Sequence, residues 1–396
     1  MPAATLVRPD TDFIREVLAS GGGDLKKCFQ CATCSTVCEL SPEDAPFPRK
    51  QMIEAQWGLK DRLLKDPSIW LCHNCGQCTT SCPRGARPSE VLGALRRAAI
   101  KSFAFPAFMG KVVADPRMLP VLFLLPALIF AAILLWAPKG PPTAQLEFAN
   151  AFPIPFLEML FFAVAGLVVA AFAVSIQRFA SAMRTPGSGH ITQGLLPALG
   201  FIATHERFAK CAGNRSRYWG HLLTLWGFAG LALMGTVVGI GTMIGALRTP
   251  LPIFHPLKIF ANLCAVVILA GLAFLFADRA GNPRNREAST YFDWFFLLTI
   301  GGAVATGLIS ELLRLSQSSI MYPVYYVHLV LILALFLYAP YSKFAHMAYR
   351  TVAIAAQEAA ARRPKVVETV SLADTLGTCK ACGTSREPNG EQRSCP

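Results

Sequence analysis

Long apolar runs divide the chain into three parts. Residues 1–117 are mostly polar with short apolar groups, residues 118–350 hold nearly all of the uninterrupted apolar sequence, and residues 351–396 are polar again. A helix needs about 20 apolar residues to cross a bilayer. The pattern predicts six such helices, at approximately 119–137, 154–177, 218–246, 257–277, 293–315 and 323–341.

The part before the first apolar run is also predicted to be helical. Residues 49–66 place apolar side chains at roughly helical spacing. A run such as 227–247 has no polar stripe to face water, which argues against a large soluble helical protein. We therefore expect an all-α chain: a helical domain at 1–117, a six-helix transmembrane bundle at 118–350 and a polar tail at 351–396.

Composition and charge agree with a membrane protein. The 396 residues are 53% hydrophobic and only 15% charged, and the formal net charge is +13. Most Lys and Arg lie in the loops 178–217 and 278–292 or before the first span, so membrane topology explains them better than nucleic-acid binding does. The first 24 residues lack the apolar core of a signal peptide. We expect the protein to lie in the inner membrane, with residues 1–117 and both termini on the cytoplasmic side.

Eight of the thirteen cysteines form two groups with the spacing C-x2-C-x2-C-x3-C. This spacing is typical of two-cluster ferredoxins, in which the fourth cysteine of each group binds the other cluster. A zinc site is the alternative, but zinc typically uses two C-x2-C pairs. The predicted 4Fe-4S ligand sets are Cys28, Cys31, Cys34 and Cys82 for the first cluster, and Cys72, Cys75, Cys78 and Cys38 for the second.

Three histidines lie in or beside the apolar runs. His221 begins the third predicted span, and His328 and His346 lie on or just past the sixth. If the sixth helix continues past Pro340, His328 and His346 lie on one face about 27 Å apart, a spacing that suits two stacked haems. A neutral imidazole is a good axial ligand, although for each histidine a hydrogen bond to a neighbouring helix is the alternative.

Charged residues at the other end of the bundle are candidates for a quinol site. Lys258 lies on the fourth span, Glu311 and Arg314 on the fifth, and Glu158 early in the second. Oxidation of a quinol releases protons, which need an acceptor close to the water interface. Mutual pairing or snorkelling of these side chains is the alternative.

Two segments carry a resemblance to a known family. YYVHLVLILALFLYAPYSKFAHMAYR (325–350) and YWGHLLTLWGFAGL (218–231) resemble the haem-binding helices of the respiratory nitrate reductase gamma subunit. The resemblance implies b haem held by His221 and His346, with His328 on an outer haem. In that family a second histidine on the opposing helix binds the outer haem, but Leu231 stands at that position here. His255, or alternatively His205, would then be the second ligand of the outer haem, unless the chain binds one haem. The family's lysine near the quinol site is loosely matched by Lys258.

The combination of domains resembles a second family. KKCFQCATCSTVC, WLCHNCGQCTTSCPRGARP and the haem helix together resemble the C and E subunits of heterodisulfide reductase fused in one chain. That fusion is similar to the C subunits of quinone-interacting membrane-bound oxidoreductases, a cytochrome b bundle joined to a two-cluster ferredoxin.

The second resemblance implies a function and a set of partners. It implies electron exchange between menaquinol and cytoplasmic flavin and iron-sulfur subunits, with adenylylsulfate reductase as the eventual acceptor in sulfate reduction. A sulfite-reduction or heterodisulfide reductase-like complex is the alternative. A transporter would not need the eight cysteines, and a membrane-anchored redox sensor would need an output domain.

Three further cysteines lie in the polar tail, at Cys379, Cys382 and Cys395. Three thiols make an incomplete zinc site, so we expect a docking extension or an unstructured tail. The chain also lacks the glycine fingerprint of a dinucleotide-binding domain.

Overall fold

A computed structural model describes residues 8–43, 45–139, 145–184, 190–211, 215–282 and 287–362. Within these ranges the secondary structure is helical and contains no strand, which confirms the all-α prediction. The three tail cysteines lie outside the described residues.

The N-terminal domain consists of short helices around a buried apolar core. Asp10 caps the first helix by accepting a hydrogen bond from the Phe13 amide (2.8 Å). Trp70 and Met52 are fully buried, and each such side chain contributes about 2 kcal/mol relative to an exposed one. The helices are Thr11–Ala19, Thr33–Thr36, Arg49–Gln56, Lys60–Leu64, Ser68–Leu71, Gln77–Thr80, Pro88–Phe103 and Ala107–Ala114.

The helical pattern predicted at 49–66 is interrupted at Gly58. Its φ of +67° is a left-handed conformation, and a Cβ there would lie 2.6 Å from the Asp10 carbonyl oxygen. Glycine is the residue that permits both the conformation and the close approach. The turn brings the Arg49–Gln56 helix back against the first helix.

Within the described residues, six helices are long and apolar enough to cross a membrane. Many of their large apolar side chains face outward, including Leu135 and Trp136, which are 71% and 79% exposed. Such a surface suits lipid and not water. The helices, called the first to sixth transmembrane helices below, are Pro116–Trp136, Ile154–Met183, Arg215–Met243, Pro256–Gly281, Tyr291–Leu315 and Met321–Tyr341.

The sixth transmembrane helix does not continue to His346. Its α-helical part ends at Tyr338, two 3₁₀ turns follow, and Ser342 between them is extended. Pro340 has no N–H to donate and its ring disfavours a continuous helix. The expectation that His328 and His346 share one helix face is therefore wrong, because His346 begins a separate C-terminal helix, His346–Ala361.

The C-terminal helix packs against both the N-terminal domain and the bundle. Tyr349 stacks on Trp70 of the N-terminal domain with ring centroids 5.0 Å apart. Phe179, at the end of the second transmembrane helix, contacts both rings, at 5.1 Å from Tyr349 and 5.9 Å from Trp70. All three side chains are fully buried, so the two parts of the chain share one core at this junction.

Candidate functional site

The first group of thiols surrounds one pocket in the N-terminal domain. Cys28, Cys31 and Cys34 line it together with Cys82, which comes from the second sequence group. The empty space around these side chains is about 340 Å³. Cys31 is exposed, so this pocket lies at the surface of the domain.

The second group of thiols is more deeply placed. Burial, together with the neighbouring Cys72 and Cys75, raises the pKa of Cys38 to about 11. Burial and the thiols of Cys72, Cys75 and Cys38 also raise the pKa of Cys78. The structure therefore places Cys38 beside Cys72, Cys75 and Cys78, just as it places Cys82 with the first group.

The donor set fits a polynuclear cluster better than a single ion. Zinc would hold each sulfur about 2.3 Å away, yet among the described residues no three His, Cys, Asp or Glu side chains converge enough to hold one metal ion. Four thiols spread around a pocket suit a larger group, whose iron replaces the thiol protons on binding.

Two side chains beside the second thiol group were not predicted from the sequence. The Cys211 thiol forms a hydrogen bond with Cys75 that lowers the pKa of Cys75 and raises that of Cys211. His73 is the residue after Cys72, and burial and the Arg350 charge hold its pKa well below the ordinary value. Neither position belongs to a spacing pattern, so the sequence carries no signal for them.

A mostly apolar pocket lies next to these residues. It encloses about 810 Å³ including its mouth, and His73, His205, His221 and His346 all line it. Cofactor sites are typically mainly apolar with a few polar groups. The pocket lies at the end of the bundle next to the N-terminal domain, which we call the cluster-side end.

His221 and His346 both line this pocket with their rings close together, so the two residues could hold one metal centre between them. Their ring centroids lie 6.0 Å apart with the planes nearly perpendicular. The Nδ1 atom of His346 donates to the Lys343 carbonyl oxygen, and Nδ1 of His221 lies 3.4 Å from Nε2 of His205. A histidine that binds metal usually commits its other ring nitrogen in this way. Within the described ranges, no hydrogen bond occupies Nε2 of either ring.

The protonation state of His346 is also suitable. Burial, and then the charge of Arg350, lower its pKa to about 3. The imidazole is therefore neutral at pH 7, which is the form that binds a metal. Burial lowers the pKa of His205 in the same way, so His205 supports His221 at this end of the bundle and is not placed beside His328.

The opposite end, the far end of the bundle, holds the other predicted residues. Glu311 accepts hydrogen bonds from Lys258 Nζ (2.7 Å) and from Arg314 (3.0 Å), forming a compact ion triad. His328 Nδ1 lies 2.8 Å from the Ala303 carbonyl oxygen, which leaves Nε2 of His328 free. The mutual pairing expected as the alternative for the charged residues is therefore present.

His255 lies at the start of the fourth transmembrane helix. Its Nδ1 accepts a hydrogen bond from the Leu257 amide (3.3 Å) and caps that helix. The lone pair of Nδ1 is therefore committed to the helix end. Among the described residues, no hydrogen bond or ring contact joins His255 to His328.

Comparisons with known proteins agree with the cysteine geometry. Residues 24–86 match the 4Fe-4S dicluster domain family. The chain is 38% identical over 100 residues to the C subunit of the H(2):CoB-CoM heterodisulfide,ferredoxin reductase of Methanothermobacter thermautotrophicus, covering 25% of this chain and 54% of that one. It is 37% identical over 93 residues to a protein of Archaeoglobus profundus that is similar to the C subunits of heterodisulfide reductases, covering 23% and 50%.

One further relative matches over almost the whole length. Citrate utilization protein B of Escherichia coli is 27% identical over 358 residues, covering 83% of this chain and 89% of that protein. By contrast, the chain spans about half the length of the heterodisulfide reductase relatives above. No solved structure matches. The matches support an iron-sulfur electron-transfer subunit, here joined to six helices of membrane-spanning length.

Proposed function

We propose that this chain carries electrons between menaquinol in the membrane and cytoplasmic partner subunits. In this proposal the chain holds two 4Fe-4S clusters in the N-terminal domain and b haem in the bundle. One observation carries the proposal: His73, next to the cluster cysteine Cys72, lines the same pocket as His221 and His346. A cluster site and a paired-histidine site therefore share a wall.

The haem is proposed to lie between His221 and His346, with one haem in each chain. Among the described residues neither ring has a hydrogen bond at Nε2, and both rings line the same mostly apolar pocket. At the far end, Nε2 of His328 has no hydrogen bond among the described residues, while Nδ1 of His255 is committed to a helix cap. Haem bound between His221 and His346 would supply a one-electron redox centre, and the contacts at Nδ1 of these two histidines would hold the ligands in orientation.

The far end is proposed to bind menaquinol. Glu311 is buried between two cations, and the free Nε2 of His328 can accept a proton or a hydrogen bond from a quinol hydroxyl. Lys258 and Arg314 would then orient the ring, and the Glu311 carboxylate would receive the second proton. The basic loops at the cluster-side end favour a cytoplasmic position for that end and for both termini, in the inner membrane.

The partners are proposed from the resemblances. Flavin and iron-sulfur subunits in the cytoplasm, with adenylylsulfate reductase as eventual acceptor, follow from the fused arrangement of the two domains. A heterodisulfide reductase-like or sulfite-reduction complex is the second candidate, supported by the matches to heterodisulfide reductase C subunits. The long match to citrate utilization protein B favours a partner that serves citrate utilisation.

The test is optical and EPR spectroscopy of the purified protein, with iron and sulfide assays. We expect one b-type haem and two 4Fe-4S clusters, all reducible by a menaquinol analogue. The His221→Ala variant is the matched control. It should keep its two clusters, but quinol should no longer reduce them. Zinc in place of iron, or the lack of a Soret band, would reject the proposal.

A second measurement separates the candidate partners. The quinol-reduced protein is mixed in turn with purified adenylylsulfate reductase, with a heterodisulfide reductase-type partner and with a citrate-utilisation partner. Reoxidation of the haem by one of them identifies the pathway, and reoxidation by none of them counts against all three.

A further inference from the structure

Three arginines from three separate helices converge on the loop that carries Cys72. Arg96 Nη1 donates to the carbonyl oxygens of Ile69 (3.0 Å) and Cys72 (3.1 Å). Arg350 also donates to the Cys72 carbonyl, through Nη2. The backbone at this cluster cysteine is thus held by guanidinium groups of the N-terminal domain and of the C-terminal helix.

The same loop is held on both sides of Cys72. Arg350 Nε donates to the Trp70 carbonyl oxygen (2.8 Å), and Arg217 Nη1, from the third transmembrane helix, donates to that of Asn74 (2.6 Å). The contacts come from both the haem-site helices and the cluster domain. We call Arg96, Arg217 and Arg350 the arginine clamp.

The positive charges of the arginine clamp are not neutralised by a direct ion pair. Over the described part of the chain, none of the three lies within 4.0 Å of a carboxylate. Ion pairs are available in the same region, since Arg207 pairs with Glu358 at 2.5 Å. Half-buried, mutually repelling cations are costly unless an anion compensates them. A cluster held by four thiolates is such an anion.

The first cluster site has a different electrostatic environment. Arg49 and Arg84 line its pocket, but both are exposed. Arg84 lies over the ring of the exposed Phe29, 4.2 Å from its centroid. Water and salt screen exposed charges strongly and half-buried ones much less. The two cluster sites thus have similar cysteine ligands but different electrostatic fields.

We propose that the arginine clamp sets the reduction potential of the second cluster above that of the first. Reduction adds negative charge, which fixed cations stabilise, and net charge and surroundings are among the factors that tune cluster potentials. Burial alone would lower the potential, and the clamp overcomes that effect. The second cluster is then the centre that holds electrons beside the His221–His346 pocket. This inference rests on the proposed function only for the presence of both clusters.

The experiment is an EPR-monitored redox titration of the full-length protein in detergent. The Cys31→Ser variant identifies the signal of the first cluster. In the wild type, we expect the second cluster to be reduced at the more positive potential. The Arg96→Gln variant keeps a hydrogen-bond donor but removes the charge. In this variant we expect the equilibrium constant for reduction of the second cluster to fall about tenfold, which lowers its midpoint potential by about 59 mV.

Two controls separate charge from packing. Arg96→Lys keeps the charge and should restore most of the shift. Arg84→Gln removes an exposed arginine beside the first cluster and should leave the second cluster's midpoint unchanged.

The proposal is overturned if the first cluster has the equal or higher potential in the wild type. It is also overturned if Arg96→Gln retains its cluster and its midpoint does not move. If the glutamine variant fails to assemble, the wild-type order still decides. A protein without haem would reject the proposed function and leave this inference standing, because the two measurements are independent.

Discussion

The two ends of the transmembrane bundle contain similar residues in different arrangements. At the cluster-side end, His221 and His346 face one cavity and each has one ring nitrogen committed to a neighbour. At the far end, His328 has the same committed nitrogen, but His255 caps a helix, and a triad of charged side chains lies nearby. A polar histidine in an apolar helix is thus the same sequence signal at both ends.

The difference shows that whether a histidine can bind a metal depends on its second ring nitrogen and on the space in front of that nitrogen. Two free Nε2 atoms across a cavity can hold a metal axially, whereas one free Nε2 beside an ion triad is better suited to proton transfer. The comparison therefore contrasts the proposed haem end with the proposed quinol end, and the following substitutions test that contrast.

The largest effect is expected from His346→Ala. It removes one of the two nitrogens proposed to hold the haem, and we expect nearly complete loss of the haem absorbance with the cluster EPR signals retained. His328→Ala is the matched control at the far end and should keep its haem. Equal haem loss in both variants would mean that the two ends do not differ as described.

The next largest effect is expected from Glu311→Gln. It leaves Lys258 and Arg314 without their shared anion, and removing one partner of a buried ion group costs about 3 kcal/mol. Chemical unfolding in detergent should show this loss, and reduction of the haem by menaquinol should slow. A triple variant that also neutralises Lys258 and Arg314 should recover much of the stability; if it does not, charge pairing is not the cause.

A smaller effect is expected from Gly307→Ala. A Cβ at this position would lie 2.7 Å from Cε1 of His328, so the ring must move away from Ala303 at a cost of about 2 kcal/mol. We expect slower quinol oxidation and unchanged haem content. Gly301→Ala on the same helix is the control, since its nearest neighbour is 3.8 Å away. Loss of a haem band in Gly307→Ala alone would instead indicate an outer haem.

The smallest effect is expected from His255. His255→Ala removes a helix cap and should lower stability by about 1 kcal/mol, while His255→Asn should restore it because asparagine is among the best capping residues. Haem content should stay constant in both. A reduced haem-to-protein ratio in the asparagine variant would show that His255 is a ligand.

Much of the fold was predictable because its signals are local. Apolar runs long enough to span a bilayer predicted the six helices, and the cysteine spacing predicted a two-cluster domain. Pro340 was visible, but the extended conformation of Ser342 depends on how the chain re-enters the junction, so the separate helix at His346 was not predicted. The predicted span 323–341 agrees with the observed Met321–Tyr341, and only the continuation past Pro340 to His346 is absent.

The site was predictable only in part. Cys28, Cys72 and their neighbours follow a spacing rule, whereas His73 and Cys211 gain their positions from contacts between distant segments. The tautomer of His255 likewise depends on the amide of Leu257, two residues away, which is a matter of backbone geometry. Tertiary packing decides such roles, and one sequence does not reveal them.

The packing of Trp70 against Tyr349 and Phe179 has a consequence for the rate of electron transfer. Because these buried rings join the cysteine-bearing domain to the bundle, a swing of that domain toward a docking partner would have to break their contacts, and we expect none. Internal electron passage should therefore be insensitive to the viscosity of the medium, with any viscosity dependence confined to the encounter with other proteins.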